Sequence, residues 1–306
     1  MMECGSLSGW RESGFIVSEK PGPSGPPGPG ASLLGFSPVP PARDRHAMPD
    51  LTIRPLPALR DNYIWLISLG RQAVVVDPGE AEPVLHALRD NGLQLAAILL
   101  THHHADHTGG VSALTASAPH VPVFGPRTLS AVTHPVDDHA RFVPAIGFPA
   151  FEAMATPGHT LDHLCYYTPG WLLSGDTLFA GGCGRLFEGT ATQMLASLDR
   201  LATLPDDTRI ACAHEYTEAN LAFANAVESG NPDITARQQR IRQLRQDGKP
   251  SLPALLSEER LTNPFLRIRQ PAVRQAVIRH AGPPPVADDV GLFAALRNWK
   301  NNFPSA

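Results

Sequence analysis

From Leu51 onward, short apolar runs alternate with amphipathic segments, and their spacing assigns most elements of the chain. Residues 62–67 and 72–77 are rich in β-branched and aromatic side chains and flank Gly70-Arg71, which predicts a hairpin. Residues 81–91 have the pattern of a helix, stopped by Gly92. The apolar run 96–100 has strand length and predicts a buried strand. A helix over 111–118 and a short strand over 121–124 follow. Further strands are predicted over 151–155, 164–168, 171–174 and 209–213, separated by turn residues such as Pro169-Gly170. This alternation predicts a layered α/β domain. After His214 the texture turns helical, over 217–229, 233–247 and 272–281. The expected division is a catalytic domain over 48–215 and a smaller helical domain over 216–306.

Residues 1–47 break the pattern. The stretch 20–30, Lys-Pro-Gly-Pro-Ser-Gly-Pro-Pro-Gly-Pro-Gly, sustains neither a helix nor a strand ladder, and its glycine period is too broken for collagen. The expectation is a disordered extension, with Met48 as the true start. A transit peptide is the competing reading, and Glu3, Glu12 and Glu19 weigh against it.

Composition narrows the function. Of 306 residues, 42% are hydrophobic and 18% charged, an ordinary core-forming balance. A net charge of −4 lacks the basic excess of nucleic-acid binders. No run of 18 apolar residues exists, so no membrane span is expected. Glu3, Arg11 and Glu12 interrupt any secretory signal pattern. Four cysteines without a CxxC pair suggest thiols in a reducing cytoplasm. A monomer is the default expectation. Thirteen histidines, several in one run, point to a metal.

That run is Thr101-His-His-His-Ala-Asp-His-Thr-Gly-Gly110, directly after the buried strand. On an extended segment, His102 and His104 project to one side and can grip one ion, while His103 faces away and is read as a non-ligand. Asp106 and His107 lie where the chain turns into the next helix and can serve a second ion. A helix N-terminus favours the carboxylate there, and Gly109-Gly110 is expected to let the backbone turn sharply. A surface histidine tract or an expression tag would lack the interleaved Asp. Three more candidate ligands, His159, Asp176 and His214, each end an apolar strand, where open α/β sheets place their sites. Each alone is weak; a lone strand-end His is usually structural, and Asp176 could cap a turn.

The ordered set His102-x-His104-x-Asp106-His107, His159, Asp176 and His214 resembles the metallo-β-lactamase superfamily, and within it the glyoxalase II (hydroxyacylglutathione hydrolase) family. The closer likeness rests on Asp61-Asn-Tyr63, Thr156-Pro-Gly-His-Thr160, Gly175-Asp-Thr-Leu-Phe179, Gly182-Cys-Gly-Arg-Leu-Phe-Glu-Gly189, His214-Glu-Tyr-Thr217, Asn263-Pro-Phe-Leu-Arg267 and Arg297-x-x-Lys300. The resemblance implies an αββα sandwich with a smaller C-terminal helical domain. It implies His102, His104 and His159 on one divalent metal ion and Asp106, His107 and His214 on another, with Asp176 shared and Asp77 supporting. Zinc is the expected metal; iron and manganese suit the same donors.

The implied reaction is hydrolysis of the thioester S-D-lactoylglutathione to D-lactate and glutathione by a metal-bridged hydroxide, in methylglyoxal detoxification. Asp106 and Asp176 would be its catalytic carboxylates. Glutathione carries two carboxylates, and the resemblance assigns Arg185, Arg297, Lys300 and the Tyr216 hydroxyl to hold it. Phe187 stands where some relatives carry Tyr, so one polar contact there is lost or replaced. Cys183 is read as a packing residue. The rivals are a one-iron persulfide dioxygenase, a nuclease and a metal-storage protein. The C-terminal motifs, the acidic balance and the shaped loop 181–189 respectively argue against them.

Overall fold

Strands β1 (Thr52–Ala58), β2 (Asn62–Leu69) and β3 (Gln72–Val76) form an antiparallel meander. Gly70 supplies the left-handed turn between the last two, with φ +57°. In this computed structural model the described residues are 51–282 and 288–304. The Pro/Gly-rich extension and the start at Met48 lie outside them. Every described residue belongs to the unit Met48–Ala306.

Helix α1 (Glu82–Asp90) carries the chain over to β4 (Gln94–Leu99), parallel to β3. Helices α2 (Ala105–Thr108) and α3 (Val111–Ser117) lead to β5 (Val123–Gly125) and β6 (His134–Pro135), completing a six-stranded sheet in sequence order. The second sheet starts with β7 (Arg141–Phe142), β8 (Phe151–Ala155), β9 (Leu164–Thr168) and β10 (Trp171–Gly175). A small hairpin follows, β11 (Leu178–Phe179) and β12 (Gly182–Cys183), then helix α4 (Ala191–Leu201) and β13 (Arg209–Cys212), parallel to β10. After α5 (Thr217–Val227) and α6 (Pro232–Gln246), β14 (Ala254–Leu255) closes the order β14-β13-β10-β9-β8-β7. Helices α7 (Leu256–Thr262), α8 (Pro271–Ala281) and α9 (Asp289–Asn301) end the described chain.

Strand alternation sorts the first sheet's side chains into two cores. Ile64, Leu66, Ala73, Val75, Ile98 and Leu100 pack with Val84 of α1 and Val111 and Leu114 of α3. Their neighbours Trp65, Ile67, Val74, Val76, Ala97 and Leu99 pack with Phe151, Ala153, Tyr166 and Leu172 of the second sheet. Helix α4 adds Met194, Leu195 and Leu198 to this larger core, and the C-terminal helices add Phe223, Val273, Phe293 and Leu296. The result is the expected αββα sandwich with a C-terminal helical region.

Several elements lie outside the sequence-based reading, α4 and β14 among them. Helix α4 is announced by a capping box, in which Thr190 Oγ1 accepts from Gln193 N and Gln193 Oε1 accepts from Thr190 N. Strand β14 comes from within the region expected to be helical and covers the edge of β13.

Candidate metal centre and adjoining cavity

Four loops leaving strand ends bring the candidate ligands together. Asp77 follows β3 with φ +53°, a costly conformation for a residue with a Cβ. Its carboxylate repays this by organising the next strand's exit. Oδ1 accepts from Thr101 N at 2.8 Å, and Oδ2 accepts from Thr101 Oγ1 at 2.7 Å and from His107 Nδ1 at 3.0 Å.

The partners decide which nitrogen each imidazole turns inward. Thr101 Oγ1 spends its proton on Asp77, so it accepts from His102 Nδ1 at 2.9 Å. His107 Nδ1 donates to Asp77, His159 Nδ1 donates to Arg185 O at 2.9 Å, and His214 Nδ1 donates to Asp61 Oδ1 at 2.8 Å. In each of these four rings the Nε2 lone pair is left facing the cleft. His102 Nε2 and His159 Nε2 each lie 3.0 Å from His104 Nδ1. Asp106 Oδ2 lies 3.5 Å from His107 Nε2 and 3.4 Å from His214 Nε2. Asp176 spans both groups, with Oδ1 near His107 and His214 and Oδ2 3.3 Å from His159 Nε2.

This donor set fits two cations. His107 Nε2 and Asp176 Oδ1 are buried without a hydrogen-bond partner, a costly state for polar atoms unless a bound ion takes their lone pairs. Three imidazole nitrogens form one group, and Asp106, His107 and His214 form another. The electrostatics separate the halves. Burial lowers His102, His104 and His159, and neighbouring imidazoles lower them further. Burial also opposes charge on His107, yet Asp176 and Asp77 lift it well above the usual histidine value. His214 is likewise opposed by burial but raised to about 10 by Asp106 and Asp176. The hydrogen bond to His214 holds Asp106 far below the usual carboxylate range. Where carboxylates raise imidazole basicity this strongly, positive charge is stabilised, and a bound divalent ion would meet the same demand.

Two sequence expectations need correction. Gly109 and Gly110 have φ −59° and −83°, so they make no special turn. They are needed for close approach: a Cβ on Gly109 would stand 2.7 Å from Gly79 O, and one on Gly110 2.5 Å from Glu80 C. Helix α2 is a single turn of four residues, so little macrodipole is available to hold Asp106. Asn62 Nδ2 does that instead, donating to Asp106 Oδ2 at 3.0 Å. His103 points away, exposed, and contacts Asp162 and Glu188.

Sequence reasoning assigned no role to Asp61, Asn62, Thr101 or His163. Asp61 and Asn62 lie in a segment that carries the family likeness, which was their only signal. His163 is fully buried, and burial followed by His159 pushes it down to about 3, so it is neutral.

Beside the ligands lies a cavity of about 430 Å³. His159 and Asp176 line it together with Arg185, Phe187, Tyr216, Arg297 and Lys300 among others. Phe187 is exposed and meets His104 and His159 edge-on at 5.6 and 5.2 Å. Tyr216 stacks flat on His214 at 4.7 Å. Arg297 is buried; it donates to Cys183 O at 2.8 Å and lies 5.0 Å over the Phe265 ring. Lys300 Nζ donates to Ala219 O at 3.1 Å and faces the Phe223 and Phe303 rings. Burial, then Arg297 and Arg185, lowers Lys300 to about 8. The Cys183 thiol, also at the cavity, is raised by burial and has Arg297 beside it.

Comparison with known proteins agrees with this architecture. Residues 58–214 match the family described as the metallo-beta-lactamase superfamily, and 215–303 match hydroxyacylglutathione hydrolase C-terminus. The hydroxyacylglutathione hydrolase of Cupriavidus taiwanensis is 49% identical over 267 residues, spanning 83% of this chain and 99% of its own length. That of Alkalilimnicola ehrlichii is 52% identical over 250 residues, spanning 80% and 97%. Among solved structures, ETHE1 from Myxococcus xanthus aligns with a TM-score of 0.56 at 25% identity, covering 83% of this chain and 92% of that one. The chain belongs to the hydroxyacylglutathione hydrolase family, within the metallo-β-lactamase superfamily.

Proposed function

We propose that this protein hydrolyses S-D-lactoylglutathione to D-lactate and glutathione, in methylglyoxal detoxification. The observation that carries the reading is one shared cavity, lined by the candidate ligands His159 and Asp176 and by the cations Arg185, Arg297 and Lys300. His102, His104 and His159 would hold one divalent ion and Asp106, His107 and His214 the second, with Asp176 between them. Zinc is the proposed metal. Ions bound there supply an activated water and polarise the thioester carbonyl.

The chain's own residues do the rest. Arg185 and Lys300 present charge to the carboxylates of glutathione, and the lowered basicity of Lys300 reflects its burial and then the neighbouring Arg297 and Arg185. Arg297 already spends part of its guanidinium on Cys183 O and Asn301 Oδ1, so it shapes the wall as well as charging it. Tyr216 offers a hydroxyl from its stack on His214. Phe187 flanks His104 and His159 and keeps that side of the cleft apolar. Cys183 has the wrong environment for a nucleophile, since burial keeps its thiol protonated.

A complete second group of ligands is more than one-iron chemistry requires. A monomer is the proposed state. The three described cysteines are all free and buried, which suits a cytoplasmic setting. No described helix is long and apolar enough to cross a membrane. The decisive assay is thioester hydrolysis of S-D-lactoylglutathione by purified, metal-replete protein, with and without chelator. Absence of turnover in the replete sample would refute the reading.

A further inference from the structure

One buried histidine belongs to neither group of ligands. His163 opens into β9 from the loop that follows His159, and it has no solvent exposure. An amide N–H can only donate, and Asp176 N lies 3.0 Å from His163 Nε2. Nε2 therefore carries the lone pair and Nδ1 the proton. Nδ1 lies 2.9 Å from Thr156 Oγ1 and 3.1 Å from Thr177 Oγ1, which can accept it. Both ring nitrogens are thus occupied, and neither is free for a metal.

The surroundings confirm that the ring is held in place. It stacks on His102 at 5.0 Å with an interplanar angle of 28°. Its backbone is pinned as well: His163 O accepts from Thr156 N at 2.9 Å, and the next amide, Leu164 N, donates to Thr101 O at 2.8 Å. Gly175, at the end of β10, has φ +48°, and a Cβ there would stand 2.7 Å from His163 Nε2 and 2.7 Å from Thr101 Oγ1. The ring therefore fills the space beneath the Gly175–Asp176 peptide.

We infer that His163 is a positioning residue: it anchors the Asp176 main chain through its amide, so that the carboxylate stays aimed at both groups of ligands. The inference rests on the proposed two-ion reading. A shared carboxylate must satisfy two positions at once, so a small shift of its backbone releases one of them. Strand pairing ends at Gly175, and the side chain that takes the next amide is His163. Histidine suits this place because it accepts on one side, donates on the other and adds no charge beside two cations. A Gln at the same position can also accept the amide proton; a Leu of similar size cannot.

The test compares wild type, His163→Gln and His163→Leu, each reconstituted with zinc and dialysed against graded chelator. Zinc per chain is measured by atomic emission, and circular dichroism checks the fold. Wild type and His163→Gln are expected to retain two ions over the same chelator range. His163→Leu should release one ion at a chelator level about 10- to 100-fold lower, the range typical of lost outer-shell support. Its kcat should fall while KM stays near the wild-type value. Equal retention in all three proteins overturns the inference, as does equal loss in Gln and Leu. Should His163→Leu fail to fold, the Gln protein decides: early zinc loss from it overturns the assignment. A wild type that binds no zinc sinks the two-ion reading itself, which is a different outcome from wild-type retention in the Leu variant.

Discussion

The two sides of the cavity are built differently. The ligand side consists of strand-end loops whose side chains are mostly buried, and five of the seven candidate ligands are tied to a partner outside the set: Asp61, Asp77, Thr101, Asn62 or the Arg185 carbonyl. The basic side draws on α9, the start of α5 and the loop after β12, and its Arg185, Phe187 and Tyr216 are exposed. One side fixes geometry, as a reacting centre requires. The other offers charge: Arg297 and Lys300 are held by the Cys183 and Ala219 carbonyls, and Arg185 is exposed. Damage to the first should therefore appear in kcat and metal content, and damage to the second in KM.

The largest expected effect follows from that contrast. Stripping both ions with chelator should lower kcat/KM by about 10³-fold or more, because metal stabilisation of developing charge is worth several kcal/mol. Readdition of zinc should restore it; activity that survives chelation, with metal content verified as zero, breaks the comparison at its root. Next comes Asp61→Ala, which frees His214 Nδ1 from its 2.8 Å partner. One ion should bind about 10- to 100-fold more weakly and the other unchanged. A chelator titration that shows both ions weakened equally, or neither, would remove Asp61 from that role.

On the basic side, Lys300→Ala should raise KM roughly 10-fold, the scale of one charge-assisted hydrogen bond, with little change in kcat. Steady-state kinetics showing the reverse split would detach Lys300 from substrate holding. Its pH dependence has a definite sign. The Lys300 pKa is lowered to about 8, so the ammonium is present below that pH and lost above it. In wild type kcat/KM should decline above about pH 8, and Lys300→Arg should flatten this limb. A limb unchanged in the Arg variant assigns it to another group. The smallest effect is Phe187→Tyr, which adds a hydroxyl at the cleft. One new neutral hydrogen bond would lower KM by about 2- to 10-fold; an unchanged KM means that no substrate atom lies within reach.

Local chemistry made much of this legible. The hairpin at Gly70, the strands over Phe151–Ala155 and Leu164–Thr168 and the helices after His214 follow from residue period and turn residues. Helix α4 carries local signals of the same kind, an apolar face of Met194, Leu195, Leu198 and Leu201 and a capping box, though no helix is predicted there. The role of Gly109-Gly110 was misjudged because sequence shows a glycine's freedom but not the backbone of residues 79–81 pressing on it. Arg297 is expected at the substrate, and it lines the cavity, but its burial against Phe265 is a tertiary fact.

By itself the sequence determined the candidate ligands, their order along strand ends and the two-faced strands that bury the sheets, since these depend on spacing and on side-chain type. Only the tertiary structure decided which imidazole nitrogen faces the cleft, how Asp176 is aimed and which cations share a cavity with it. The reason is distance along the chain. Asp61 and His214 are 153 positions apart, His159 and the Arg185 carbonyl 26, and Arg297 and the Cys183 carbonyl 114. No local pattern encodes such pairs; they exist once two sheets and the helices behind them have closed around one cleft.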